Sequence, residues 1–303
     1  MNGHKKYMSH QFEDNIIKTW GNAGRAWLQE LPRISATLAD NWNVTQLKPV
    51  TNLTYNYVVT GYQNSTPVIL KIGFDVQDIL KELTALTAYD GNGSIKLLDH
   101  HPRYHALLLE QACPGSSLVS FFPDRDDEAV LCAATIMQKL HATHIPIQSC
   151  LQTLTEWFAD LYNPPAMINC YHIHKAQARL QELLATQTRT VLLHGDLHHD
   201  NILLSQRGWL AIDPKGLIGD PAYEIYAFLR NPHPTTLKPS ATIIRRLQLF
   251  ADYLALDIQR LHGWVYVRAV LEACWMIKDE QTDPTQAFAE ADQIDTLPAE
   301  QLR

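Results

Sequence analysis

The 303-residue chain lacks several features that define whole classes of protein. No apolar run approaches the roughly 18 residues that indicate a membrane-spanning helix. The first residues, Met-Asn-Gly-His-Lys-Lys-Tyr, lead into polar sequence, so we expect no signal peptide. The 5 cysteines are odd in number and contain no Cys-x-x-Cys pair, which disfavours a disulfide framework or a zinc site. A reducing compartment, the cytoplasm, is therefore the predicted location.

Positive charge is also scarce. Lys and Arg number 25 against 32 Asp and Glu, for a net charge of −7, whereas a general nucleic-acid binder normally carries a basic surface. Hydrophobic residues make up 46% of the chain and charged residues 19%, which is typical of globular proteins. We expect no nucleic-acid or membrane partner, and the sequence indicates no particular oligomeric state.

Hydrophobic periodicity divides the chain into three parts. An amphipathic helix is predicted over 11–40. Strands are predicted at 44–50, 55–62, 67–73, 94–98 and 105–111, with a helix over 75–89. After Pro114-Gly115, helices are predicted at 126–141, 151–162, 169–187, 221–229 and 240–280, with a hairpin of 202–204 and 209–212. The tail over 281–303 is predicted to be weakly ordered or peripheral. We therefore predict an α+β chain with a helical extension (1–43), a small β-lobe (44–113) and a mainly helical lobe (114–303), with a cleft between the lobes.

One segment carries the most specific chemical pattern. Residues 193–203 read Leu-His-Gly-Asp-Leu-His-His-Asp-Asn-Ile-Leu, so Asn201 follows Asp196 by five positions, and a second acid, Asp213, ends the next apolar run. The catalytic loop of kinases has the same Asp-to-Asn spacing. In phosphoryl transfer one carboxylate orients the acceptor hydroxyl, while an amide oxygen and a second carboxylate hold Mg²⁺ on the phosphates of ATP. The pattern predicts Asp196 as catalytic and Asn201 and Asp213 as metal ligands.

A lysine and a glutamate upstream fit the same chemistry. Lys71 lies in the apolar strand Pro-Val-Ile-Leu-Lys-Ile, and a lysine on a strand fit for burial needs a partner. Glu82, on the helix that follows, could supply it, as in the lysine–glutamate pair that positions nucleotide phosphates in kinases. The alternative is a lysine on an edge strand that faces water.

The layout and motifs resemble the aminoglycoside phosphotransferase family, in particular the branch of streptomycin 6-kinases and hydroxyurea phosphotransferases. The resemblance is carried by 193–203 and by 209–224, Trp-Leu-Ala-Ile-Asp-Pro-Lys-Gly-Leu-Ile-Gly-Asp-Pro-Ala-Tyr-Glu. It implies a two-lobed protein-kinase-like fold with a small antiparallel β-sheet lobe and a mainly helical C-terminal lobe. It also implies ATP and Mg²⁺ as cofactors and a small-molecule acceptor.

The resemblance suggests further roles around the nucleotide. In kinases a glycine-rich loop covers the phosphates between the first two strands, but 51–56 contains no glycine here. Asn52 and Thr54 are the residues of that loop expected to reach phosphate, with an ordinary hairpin turn as the alternative. Leu109 and Gln111 are expected to present backbone groups to adenine. Asp220 is expected to support the metal loop.

The acceptor site is predicted in the helical lobe. Candidates are the acids Glu272, Asp279 and Glu280 beside Trp275, because acids near an aromatic ring can hold a guanidinium or ammonium group. A solvated helix face explains the same residues. Glu224 is predicted either to face the acceptor or to support the metal loop.

The predicted function is transfer of the ATP γ-phosphate to a hydroxyl of a small molecule, with a streptomycin-type aminoglycoside first and hydroxyurea second. A kinase of the same fold for a sugar or amino alcohol is one alternative, and a non-catalytic nucleotide-binding protein is another. A protein kinase would need an activation segment, and the short path from Asp213 to Pro221 leaves little room for one.

Overall fold

The structure is a computed structural model that describes residues 10–147, 150–164, 170–233, 235–280 and 282–302. It begins with α1 (His10–Trp42), which is a helical hairpin rather than one straight helix. The backbone leaves helical geometry at Gly21, whose φ is +56°. A Cβ built on Gly24 would lie 2.6 Å from the carbonyl oxygen of Ile16, although residues eight apart in a continuous helix are separated by about 12 Å along its axis. The predicted helix is confirmed, but it folds back on itself.

The N-terminal lobe is a five-stranded antiparallel sheet in the order β1-β2-β3-β5-β4. Its strands are β1 (Val44–Pro49), β2 (Asn56–Gln63), β3 (Thr66–Gly73), β4 (Leu97–His101) and β5 (Ala106–Glu110). Between β3 and β4 lies α2 (Val76–Tyr89), whose first turn is capped by the Asp75 side chain accepting from the amides of Gln77 and Asp78.

Side-chain alternation along β3 gives the sheet two different faces. Val68, Leu70 and Ile72 are buried in one cluster with the apolar side of α1. Ile69 packs on the other side with residues of α2. Since Lys71 shares the parity of Ile69, it is directed toward α2 and therefore toward Glu82.

The C-terminal lobe is mostly helical, as predicted. Its helices are α3 (Asp126–His141), α4 (Leu154–Trp157), α5 (Cys170–Ala185), α6 (Tyr226–Arg230), α7 (Ser240–Leu254), α8 (Ile258–Glu280), α9 (Pro284–Ala287) and α10 (Ala289–Asp295). Its short strands are β6 (Gln152–Thr153), β7 (Val191–Leu193), β8 (Ile202–Ser205), β9 (Gly208–Ala211) and β10 (Leu217–Gly219). The β8–β9 hairpin is confirmed, and β6, β10 and β7 form a small sheet.

Several local predictions differ from the structure, and the helix predicted over 240–280 is divided into α7 and α8. The fourth strand lies at 97–101 rather than 94–98, and the predicted helix over 151–162 is broken into β6, α4 and a 3₁₀ turn. The predicted weakly ordered tail is instead folded into α9 and α10. The side chains of Phe288, Ile294 and Leu302 are buried there, in the same core as α8.

Arg207 makes several of the contacts between the two lobes. Arg207, in the β8–β9 turn, donates from Nε to Glu110 Oε1 at 2.9 Å and from Nη1 to the carbonyl of Gly91 at 2.9 Å. Its Nη2 donates to the carbonyl of Ser94 at 3.1 Å. The hairpin that precedes Asp213 is thereby held against the lobe that carries Lys71. No helix in the described part of the chain is long and apolar enough to cross a membrane.

Candidate active site

Lys71, Glu82 and Asp213 meet in the cleft. Lys71 Nζ lies 2.6 Å from Glu82 Oε2 and 3.0 Å from Asp213 Oδ1, and the lysine is 3% exposed. Burial alone would lower the pKa of Lys71, but the carboxylates of Asp213 and Glu82 raise it above its ordinary value. The lysine is therefore charged, and the reading of Lys71 as a solvent-facing edge residue is wrong.

Glu224 holds the loop that carries Asp196 through hydrogen bonds to its backbone. Both oxygens of this buried carboxylate accept backbone amides: Oε2 from His194 at 2.7 Å and Oε1 from Gly195 at 2.8 Å. His141 Nε2 lies 3.3 Å from Oε2. The Glu224 side chain has no exposed surface, and its bonds support the loop of Asp196 rather than the metal loop named in the prediction. Its contact with the acceptor stays a prediction, since Glu224 also lines a cavity beside Asp196.

His194 fixes the same loop from inside. Its Nε2 is 2.8 Å from the carbonyl of Ile212, and its Nδ1 accepts from the amide of Asp196 at 3.2 Å. Its own carbonyl accepts from the amide of Lys215 at 2.7 Å. Burial lowers the pKa of His194, so the ring is neutral and can accept this bond. Asp196, by contrast, has a side chain that is 39% exposed at the cleft.

Asn201 and Asp213 present oxygens suited to a hard cation. Asn201 Nδ2 donates to the carbonyl of Asp196 at 2.9 Å, which leaves the amide oxygen as its unused polar atom. Asp213 uses Oδ1 for Lys71, its side chain is 51% exposed, and its φ of +59° lies in the sparsely populated left-handed region. Carboxylate and amide oxygens are the protein ligands that Mg²⁺ prefers, so this donor set fits the predicted metal.

The cleft itself has a volume of about 1240 Å³. Its wall includes the three predicted groups Asp196, Asn201 and Asp213, together with Asn52 and Thr54. It also includes four α1 residues that the sequence interpretation left unused: Asn15, Lys18, Thr19 and Trp20. No feature of the sequence around these four residues predicted that they line the cleft. Their position depends on the fold-back of α1 at Gly21.

The two residues predicted to contact adenine, Leu109 and Gln111, lie at different positions relative to β5. Leu109 lies inside β5 and pairs with Ile69 of β3 and Leu97 of β4, so strands flank it on both sides. Gln111 is the first residue beyond β5. Because strands flank the backbone of Leu109 on both sides, Gln111 is the better placed of the two, and the adenine contact of both residues stays a prediction.

A second cavity of about 350 Å³ adjoins Asp196. Its lining includes Tyr223, Tyr226, Arg230, Arg268 and Glu272. Its position next to the predicted catalytic carboxylate is where an acceptor molecule would have to lie.

The structure changes the prediction for Glu272 of this cavity and for Trp275, about one turn further along α8. Glu272 Oε2 is 2.7 Å from Arg268 Nη1, and Oε1 is 2.5 Å from Arg230 Nη1. The Arg268 guanidinium also lies 4.5 Å from the ring centre of Trp275, whose Nε1 donates to Asp160 at 2.9 Å. The predicted guanidinium site therefore exists, but the chain's own Arg268 fills it, so Glu272 and Trp275 are not free for an acceptor. The side chains of Asp279 and Glu280 lie outside the part of the chain that the structure describes.

Asp220 is buried and contacts the turn that carries Glu224 rather than the metal loop named in the prediction. Its Oδ2 accepts from Trp264 Nε1 at 2.8 Å and is paired with Arg260, while Oδ1 accepts from the amide of Ala222 at 2.9 Å. These bonds fix the turn that carries Glu224, so Asp220 acts on the loop through a second residue.

Comparison with known proteins identifies relatives along most of the chain. A family described as "Aminoglycoside/hydroxyurea antibiotic resistance kinase" matches residues 42–280. Streptomycin 6-kinase from Streptomyces griseus is 29% identical over 293 residues, which cover 92% of this chain and 94% of that protein. Hydroxyurea phosphotransferase from Kitasatospora aureofaciens is 29% identical over 273 residues, covering 87% and 78%. The solved structure of aminoglycoside phosphotransferase APH(4)-Ia superposes with a TM-score of 0.64 at 14% identity over 87% of this chain and 97% of that one, which establishes the shared fold.

Proposed function

The chain belongs to the aminoglycoside/hydroxyurea antibiotic resistance kinases, and from this premise we propose that it transfers the γ-phosphate of ATP, with Mg²⁺, to a hydroxyl of a streptomycin-type aminoglycoside. The single observation that carries the proposal is the convergence of five groups on one cleft. Lys71, Glu82 and Asp213 are in direct contact, and Asp196 and Asn201 lie in the same wall.

Each of these side chains has a distinct task in the proposed reaction. Lys71, kept charged by its two carboxylate neighbours, binds the anionic phosphates of the nucleotide. Asn201 and Asp213 would hold Mg²⁺, which when bound screens the charge that develops on the phosphates. Asp196 orients the acceptor hydroxyl and receives its proton late in the transfer.

The supporting residues keep Asp196 in place. Glu224 and His194 bond the backbone that leads into Asp196, and Asn201 donates to the carbonyl of Asp196 on its other side. The carboxylate is therefore presented to the acceptor without rearrangement. Such preorganisation supplies much of the rate in phosphoryl transfer, because the protein mainly positions the reactants and stabilises charge. The acceptor would occupy the cavity beside Asp196.

The wider organisation is proposed on the same basis. We assign residues 44–113 to nucleotide binding and 114–303 to the catalytic loop, metal loop and acceptor site, with the reaction taking place in the cytoplasm. The proposal includes no nucleic-acid or membrane partner.

The test is a panel assay with the purified chain. ATP and Mg²⁺ are incubated with streptomycin, hydroxyurea, choline, a sugar or no acceptor, and ADP release is measured together with the mass gain of the acceptor. We expect streptomycin to gain one phosphoryl group and the Asp196→Ala variant to bind ATP without transferring it. Phosphorylation of hydroxyurea, choline or the sugar instead would replace the acceptor. If ATP is bound but no acceptor is modified, a nucleotide-binding protein without this activity replaces the proposal.

A further inference from the structure

We propose that the N-terminal helical hairpin is part of the nucleotide site and that Lys18 binds the phosphate end of ATP. This inference rests on the proposed function, since it needs a nucleotide in the cleft. It assigns a role to a segment that lies outside the family match, which begins at residue 42.

The helical hairpin of α1 packs against the loop between β1 and β2. Asn15 Nδ2 donates to the carbonyl of Thr54 at 3.3 Å. The ring of Trp20 meets Tyr55 edge-on at 6.0 Å between centroids and packs against Phe74 at 4.8 Å. The first half of α1 therefore packs where β2 begins and β3 ends, next to the cleft.

Lys18 lies on the side of this helix that faces the cleft. Asn15 and Lys18 are three residues apart, so they share one helix face. Both are in the wall of the 1240 Å³ cleft, together with Thr54 and Lys71. Among the residues that the structure describes, Lys18 has no ion pair, and its side chain is exposed.

The cleft wall has more negative than positive side chains. Its wall carries the carboxylates of Asp75, Asp78, Glu82, Asp196, Asp200 and Asp213. Lys71 already contacts two carboxylates, and Lys278 lies 3.7 Å from Asp160. The wall also carries Lys215, but its six carboxylates still outnumber its four lysines. Each cation therefore favours the entry of a triphosphate, and Lys18 is the lysine that α1 supplies.

The loop between β1 and β2 lies in the same cleft wall as Lys18. Residues 51–56 have no glycine, so every position carries a Cβ that restricts how closely the backbone can approach phosphate. A lysine from outside the loop can deliver positive charge to the same place without that close approach.

The experiment compares two variants of the full chain on the same element. Lys18→Met removes the proposed phosphate contact. Arg25→Met removes an equal charge from an exposed position of α1 beyond the fold at Gly21 and outside the cleft wall. Binding of ATP with Mg²⁺ and of adenosine is measured by calorimetry, and KM for ATP and kcat are measured with the acceptor found in the panel assay.

We expect Lys18→Met to weaken ATP binding about 10-fold, the lower end for a charge-assisted contact because the lysine is exposed. Adenosine binding and kcat at saturating ATP should change less than about 2-fold, and Lys18→Arg should recover most of the ATP affinity, because it keeps the charge. Arg25→Met should match the wild type.

Two results would overturn the inference while the proposed function stands: ATP binding unchanged in Lys18→Met, or equal losses for ATP and adenosine, which would indicate a structural effect. If the wild-type chain binds no ATP at all, the inference and the proposed function both fall.

Discussion

The two walls of the cleft are built by different means. The C-terminal wall, residues 193–224, positions its groups through short connections within one stretch of chain. His194, Asp196, Asn201 and Glu224 are linked by hydrogen bonds of 2.7 to 3.2 Å. The N-terminal wall, formed by the first half of α1 and residues 51–55, depends on contacts between segments about 40 residues apart, such as Asn15 with Thr54.

This difference determines what a change in each wall should do. In the C-terminal wall the proposed catalytic and metal-binding groups belong to one hydrogen-bonded stretch of chain, so we expect a single loss there to disturb the reaction itself. In the N-terminal wall the groups are exposed and held by packing, so a loss should weaken nucleotide binding and leave the chemical step nearly intact. The following variants test that contrast, beginning with the largest expected effect.

Asp213→Ala should have the largest effect, because it removes a proposed metal ligand and one of the two carboxylates on Lys71. A bound metal ion supplies several kcal/mol of charge stabilisation, so we expect turnover to fall about 10³-fold or more. ATP binding should no longer depend on Mg²⁺, as measured by calorimetry with and without the ion. Asp124→Ala, at an exposed position outside the cleft wall, is the control. Normal Mg²⁺-dependent binding in Asp213→Ala would rule out the metal assignment.

Glu224→Gln should reduce kcat about 10- to 100-fold, as expected for a residue that orients a catalytic group. Glutamine offers one acceptor oxygen where the loop needs two, so its NH₂ group would face the amide of His194 or Gly195. KM for ATP should stay near the wild-type value, because the N-terminal wall is untouched. The free energy of unfolding should also fall by about 1–3 kcal/mol, the cost of an unsatisfied buried polar group.

The control for this variant is Glu182→Gln, whose carboxylate is 61% exposed. A rise in KM for ATP with kcat unchanged would contradict the separation between the two walls. So would equal activity in Glu224→Gln and the wild type.

Gly24→Ala tests the N-terminal wall in the same way. The added Cβ would lie 2.6 Å from the carbonyl oxygen of Ile16, so the two halves of α1 must move apart. Displacing Asn15 and Lys18 should raise KM for ATP about 5-fold, less than the full loss of a charged contact. We expect kcat at saturating ATP to stay within about 2-fold, since no bond of the C-terminal wall changes. Asn22→Ala, exposed on the adjoining turn, should behave as the wild type; a fall in kcat alone would contradict the assignment.

The same contrast explains which parts of the molecule could be predicted from the sequence. The spacing of Asp196, Asn201 and Asp213 is local, and so is the alternation that turns Lys71 toward α2, so both were accessible. The role of Glu224 depends on a loop 30 residues away, and the Glu272 carboxylate is paired with Arg230 of α6 as well as with Arg268 on its own helix.

Other features depended on the tertiary structure alone. Phe288, Ile294 and Leu302 are ordered by the core that they share with α8. The cleft contacts of α1 depend on Gly21, a residue that by itself signals only a possible break. These are the positions where sequence reasoning left a segment unassigned or assigned it wrongly.

His199→Phe should have the smallest effect, and it concerns stability rather than turnover. His199 lies behind the C-terminal wall, fully buried, with its ring stacked on Phe228 at 4.0 Å between centroids. Neither ring nitrogen has a hydrogen-bond partner among the described residues. Burial, aided by the charge of Arg246, lowers the pKa of His199 to about 2.

The sign of the pH effect follows from proton uptake. Below about pH 6.5 the unfolded chain protonates this histidine, whereas the folded chain does not until about pH 2. The unfolded state therefore binds more protons in this window, and the stability contributed by the neutral ring is lost as the pH falls. Between pH 7 and pH 5 the loss should be about 2 kcal/mol, and a phenylalanine, which has no titrating group, should avoid it. Urea unfolding at both pH values, with exposed His174→Gln as control, should show the gap between His199→Phe and the wild type widening toward pH 5. Parallel loss of stability in both proteins would show that the ring does not stay neutral, and that the C-terminal wall is less tightly closed behind the catalytic loop than its contacts indicate.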